Sequence, residues 1–253
     1  MTNRTGRTSP QVYARIAGVL YLINIACGVF GELFVRAHLV VAGDALATAH
    51  NIMASEFLFR CGVMGDLIMH ITDVPMAVIF YVLLKPVSKD LSLLAALFGM
   101  LQTAILCVNK LNLVTVLLLL GGSNYLKAFA PNQLQALAQL SLALHEQGFG
   151  VGLIFFGVSC LVSAYLLFRS GYFPRTLGVL QGIAGVSYLI NSFAQLLSPS
   201  LQEKMVPAIL LPAFIGELGT CAWLIVKGLN VAKWDERVRM GPVVDVRTEP
   251  SAH

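Results

Sequence analysis

The sequence predicts an all-α membrane protein, a six-transmembrane-helix bundle with both termini cytoplasmic. Three observations predict it. Hydrophobic residues make up 57% of the 253, charged residues only 12%, and the mean hydropathy is +0.77. Soluble domains carry about 25% charged residues, so water is not the solvent along most of this chain. An apolar run of the roughly 20 residues that cross a bilayer as a helix recurs six times. Lys and Arg also gather in alternate connections, the charge asymmetry of a multi-pass protein.

The six runs are residues 13–35, 57–84, 91–120, 149–168, 177–197 and 205–226. Backbone groups in hydrocarbon must be paired internally, so runs of this length cross as helices. The short alternating segments of a transmembrane barrel are absent. The first run comes after a basic start (Arg4, Arg7, Arg15) and outlasts the roughly 7–15 apolar residues of a cleavable signal. It reads as a retained anchor. The second and third runs exceed the minimum and are expected to tilt or project. Arg4, Arg7, Arg15, Lys85, Lys89, Arg169, Arg175, Lys227, Lys233, Arg237, Arg239 and Arg247 fall on one side, and Arg36, Arg60, Lys127 and Lys204 on the other. Twelve against four places the amino terminus in the cytoplasm. The expected organisation is a cytoplasmic segment 1–12, a transmembrane domain 13–232 and a flexible cytoplasmic tail 233–253.

Between the runs, Asp44 after Gly43 is placed to cap a short helix. Pro131 suits a helix start, and Leu134, Leu137, Leu140 and Leu144 come next at helical spacing, as in a helix lying on the outer interface. Gly178 and Gly182, with Gly185 beyond, predict a close helix crossing. Pro75, Pro207 and Pro212 are expected to kink or loosen their helices. The five cysteines lie in or beside apolar runs with no CxxC pair, so they read as small buried hydrophobes.

Function has to be sought among polar residues inside the spans, which are costly there and face a bundle interior. The second run carries Asp66, His70 and Asp73, and spacings of four and three put them on one helical face. Lys110 lies in the third run, Glu217 in the sixth and Asn24 in the first. These six are expected to form an interior polar cluster. At about 1.5 Å of rise per residue, Asp66 and Lys110 reach matching depth and are expected to pair. Glu32 and Arg60 are likewise expected to pair at the outer rim.

Such a cluster fits small-molecule or lipid binding or transport. It also fits an intramembrane enzyme acting on lipid, metal-dependent if Asp66, His70 and Asp73 supply ligands, or a non-catalytic accessory subunit with purely structural charges. The expected partners are membrane lipids and a small-molecule ligand. No basic stripe with interleaved aromatics is present, so nucleic acid is not a partner. There is no GxSxG, HExxH, Walker loop or GxGxxG after a strand, and the residues imply no particular cofactor.

Several segments together carry a resemblance. They are Ala14-Arg-Ile-Ala-Gly-Val-Leu-Tyr-Leu-Ile23, then Gly43-Asp44 with Thr48, Asn51, Arg60 and Asp66, then Leu83-Leu-Lys-Pro-Val87. Further on come Arg169-Ser-Gly-Tyr-Phe-Pro-Arg175, Gly185-Val-Ser-Tyr-Leu189 and Gly216-Glu217, with Trp223-Leu-Ile-Val-Lys-Gly228 after them. In order and spacing they resemble an uncharacterised bacterial membrane family, the domain of unknown function DUF4386. The resemblance covers residues 14–228. It implies the same topology in a bacterial inner membrane and no particular activity.

Overall fold

The computed structural model describes residues 9–241; the first eight residues of the expected segment 1–12 and residues 242–253 of the expected tail lie outside the described residues. Those described form helices and no strand. The helices are α1 (Pro10–Leu39), α2 (Ala45–Ala54), α3 (Glu56–Leu84), α4 (Lys89–Leu120), α5 (Pro131–Ser170), α6 (Arg175–Leu197), α7 (Pro199–Met205), α8 (Leu211–Val226) and α9 (Val231–Met240). Six are long and apolar enough to cross a membrane: α1, α3, α4, α5, α6, and α8 with the single turn before it. The chain is a multi-pass membrane protein.

Local chemistry sets the helix ends. Ser9 accepts the Gln11 amide and Pro10 opens α1, where its missing N–H costs nothing. Asp44 accepts the Ala47 amide at 2.8 Å and starts α2. Gly171, at φ +75°, ends α5 in the left-handed conformation that a β-carbon disfavours. The sixth span starts later than the sequence predicts, at Ala208 rather than 205. Pro207 and Pro212 lack the amides a longer helix would need, and Pro212 is tolerated only in the first turn of α8. Pro75, by contrast, sits inside an unbroken α3.

Two other expectations change. The segment from Pro131 is not a separate interfacial helix. It runs without a break into the fourth span, and the 40 residues of α5 extend about 60 Å, twice the hydrocarbon thickness. The tail does not begin as flexible chain at Lys233. Asn230 accepts the Lys233 amide and caps α9, and Trp234 Nε1 donates to Leu83 O at 3.1 Å. Tyr172 Oη donates to the same carbonyl at 2.7 Å. The loops after α3 and α5 and the start of α9 are thereby held at one end of the bundle.

Each span packs on two others: α1 on α3, α3 on α4, α4 on α5, α5 on α6, α6 on α8, and α8 back on α1. The spans therefore close a ring in chain order. Backbones meet where glycine permits. A β-carbon on Gly178 would lie 2.8 Å from Ala164 O and Phe168 N, and one on Gly185 2.8 Å from Gly157 O. Gly182 has only ordinary space around it. The α5–α6 crossing thus uses Gly178 and Gly185.

The ring has apolar packing at both ends. Leu83, Leu166, Leu177 and Leu224 belong to the cluster at the end where α1 starts and α9 packs. Val35, Phe59, Leu113 and Leu142 belong to the cluster at the opposite end. Asp66, His70 and Asp73 fall on α3 between Val63 of one cluster and Ile79 of the other. Large apolar side chains such as Phe34, Phe57, Ile71 and Val108 point outward. Lipid tails accept that outer face, so the polar groups are turned inward.

Candidate functional site

The six expected cluster residues do not meet as one. They divide into three groups, beginning with a charged knot near the end of the bundle away from the termini. Lys110 Nζ lies 2.9 Å from Asp66 Oδ2, and both residues are buried. Arg36 also grips Asp66, with Nη1 at 2.7 Å from Oδ2 and Nη2 at 3.3 Å from Oδ1. Glu32 Oε2 accepts from Arg36 Nε at 2.8 Å. Two cations and two carboxylates are thus matched.

Arg36 was not legible as an interior group, because the apolar run stops at Val35. Residues Phe30–Arg36 form a π-helix, whose wider turn alters the helical register across this segment. Val35 and the Arg36 side chain then both turn inward. Gly31 makes room for them. A β-carbon there would overlap Asp66 Oδ1 and lie 3.2–3.3 Å from the guanidinium nitrogens.

The expected Glu32–Arg60 pair does not form. Arg60 binds Glu56 on its own helix, Nη2 to Oε1 at 2.6 Å, and Glu32 binds Arg36. Both are i,i+4 contacts, available without bringing two helices together. The Arg60–Glu56 pair is solvent- or headgroup-exposed, the kind worth about 0–1 kcal/mol.

The second group centres on Asp73. Asn24 Nδ2 donates to Oδ1 at 2.6 Å. Thr103 Oγ1 and His70 Nδ1 approach Oδ2 at 3.3 and 3.2 Å. Asn24 also donates to Met69 O at 3.2 Å, so α1, α3 and α4 are tied together at this level. The third group is Glu217, which accepts the Tyr188 hydroxyl at 2.5 Å. Tyr188 packs on Phe156, with ring centroids 5.3 Å apart.

A cavity of about 80 Å³ lies inside the ring, and every span contributes to its wall: Tyr21, Asp73, Thr103, Phe156, Gln181 and Thr220, among others, from α1, α3, α4, α5, α6 and α8 in turn. Of the expected cluster, only Asp73 lines it. Its side chain is 15% exposed, against 0% for His70 behind it. Glu217 lies behind the same wall, bonded to Tyr188, which packs on the wall residue Phe156. A water needs about 10–15 Å³ of such space, so the cavity holds several waters or a small ligand.

Most of the wall is built from small and neutral side chains, so ionisable residues do not mark it in the sequence. Its signal is periodic. Ser92, Ala95, Ala96, Gly99, Gln102 and Thr103 repeat at helical spacing on α4, as do Phe156, Ser159, Cys160, Ser163 and Leu167 on α5. Among the described residues, no group of three His, Cys, Asp or Glu side chains is placed to hold a metal.

The DUF4386 profile, a domain of unknown function, matches residues 16–228. The chain belongs to the DUF4386 family. One relative is an uncharacterized protein of Archaeoglobus fulgidus, 28% identical over 171 residues, which span 68% of this chain and 86% of that one. No solved structure matches. Within this DUF4386 chain, the matched region runs from inside α1 through the other five spans, takes in the charged knot and the cavity wall, and stops before α9.

Proposed function

We propose that this DUF4386 protein binds a small molecule inside the membrane, in the central cavity, and serves to hold or carry it across. The supporting observation is the cavity itself. One space is lined by all six spans and bordered by a carboxylate. The charged knot has a different character. Its charges are matched and its central groups buried, which fits a strut fixing α1, α3 and α4. Asp73 is bonded too, to Asn24, Thr103 and His70, but it also presents part of its side chain to the void. Transfer of polar groups into hydrocarbon is costly, and a ligand site is a use that offsets that cost.

The reading includes both termini in the cytoplasm and residence in the inner membrane. Lys85, Lys89, Arg169, Arg175, Lys227 and Lys233 flank the loops gathered at the Leu83 carbonyl. A basic end of this kind faces the cytoplasm.

Native mass spectrometry of the protein released from lipid nanodiscs tests the proposal. Gly99 lines the cavity, and its added β-carbon would meet Ser159 Oγ at an ordinary 3.5 Å. Gly99→Leu therefore fills the space with the charges intact. The wild type is expected to carry a small adduct that Gly99→Leu lacks, with helicity unchanged. Identical adducts in both proteins would count against a central site.

A further inference from the structure

We infer that the ligand is a small organic cation, a protonated primary or secondary amine on an apolar body. The inference rests on the central cavity being a binding site and adds the chemistry of what it takes. Three features of the wall point the same way.

Among the described residues, Asp73 is the one charged side chain in that wall. The nearby cations, Arg36 and Lys110, are spent on Asp66 in the knot. An anionic ligand would meet a carboxylate with no lysine or arginine beside it in the wall, the costly case for a desolvated site.

Part of the polar wall also offers acceptors. Ser92 donates its proton to Tyr81 O, Ser159 to Ala95 O and Thr220 to Gly216 O, at 2.8–3.0 Å. Gln181 Nε2 donates to Cys160 Sγ. A hydroxyl whose proton is committed offers only lone pairs, and Gln181, with one of its two amide protons engaged, keeps its carbonyl for a ligand. These groups accept from a ligand that brings donors, beside the further polar side chains Gln102 and Ser163. An ammonium group brings two or three.

Tyr21, Phe80, Tyr81 and Phe156 complete the wall. Aromatic faces attract a desolvated cation and accommodate an apolar body equally well. Met76, Ala77 and Leu84 of α3 and Leu167 of α5 add apolar surface.

Equilibrium dialysis of propylamine against the full chain in nanodiscs, at about pH 7 where the amine is protonated, is the test, with 1-propanol and propionate as a neutral and an anionic probe of similar size. Propylamine is expected to bind saturably, and neither other probe to displace it at the same concentration. Asp73→Asn is expected to weaken propylamine at least about tenfold, the loss of a charge-assisted hydrogen bond. If that variant does not fold, the competition in the wild type still decides, and Gly99→Leu locates the binding. 1-Propanol binding as tightly as propylamine would overturn the cation inference and leave the cavity as a binding site. Saturable propylamine binding unchanged in Gly99→Leu would overturn it too, by moving the site elsewhere. If no probe binds, both readings fail.

Discussion

Asp66→Ala is expected to lower the stability of the protein by about 3–5 kcal/mol, the usual cost of breaking a buried ion pair from one side. Among the described residues, Asp66 is the carboxylate that holds Lys110 and the inter-helix acceptor for Arg36, and its removal strands Lys110 and leaves Arg36 to the exposed Glu32. Lys110→Ala is expected to cost clearly less. Asp66 then keeps the two-pronged contact with Arg36 at 2.7 and 3.3 Å, and a forked guanidinium–carboxylate contact is among the stronger polar interactions. From sequence alone Lys110 is the partner in view, and Arg36 is not. Denaturant unfolding of the variants in nanodiscs decides it. Lys110→Ala as damaging as Asp66→Ala would mean that Arg36 does not hold the carboxylate.

Gly31→Ala is expected to cost about 1–3 kcal/mol, the range for overpacking a close contact. The new methyl falls on Asp66 Oδ1 and against the Arg36 guanidinium. Gly28→Ala, one turn earlier, meets only the Met69 sulfur at 3.2 Å, and a flexible thioether can move aside. It should be close to neutral. The clash is with a particular side chain, so it should disappear when that side chain is shortened. In an Asp66→Ala background, Gly31→Ala should add little, giving a strong coupling in the double-mutant cycle. Additive losses would place the effect in the backbone of α1 instead.

The number, type and approximate bounds of the spans were legible because hydrocarbon demands long apolar helices, a strong signal that needs no tertiary information. The π-helical turn at Phe30–Arg36 was not legible. Nothing in Phe-Gly-Glu-Leu-Phe-Val-Arg distinguishes it from ordinary helix, and its consequence is that Arg36 changes sides. Glu32 and Arg60 were matched by depth, but depth says nothing about azimuth, and each had an i,i+4 partner nearer. Glu217 was placed correctly within its span but lies beside Tyr188, since residues at one level of a six-membered ring can still occupy different walls. The start of α9 carried its own signal, Val231, Trp234 and Val238 at helical spacing after Asn230. Composition alone concealed it. The cavity lay in small residues at helical intervals, a pattern that also describes simple close packing until the partner helix is known.

An experimental density map of the protein in a lipid nanodisc tests most directly whether the space beside Asp73 exists and is occupied in a membrane. The expected result is a separate peak inside the ring, within hydrogen-bond reach of Asp73 and between Tyr21 and Phe156. A map with the same fold, but with α4 closed onto α3 and α5 and no density between them, would contradict it.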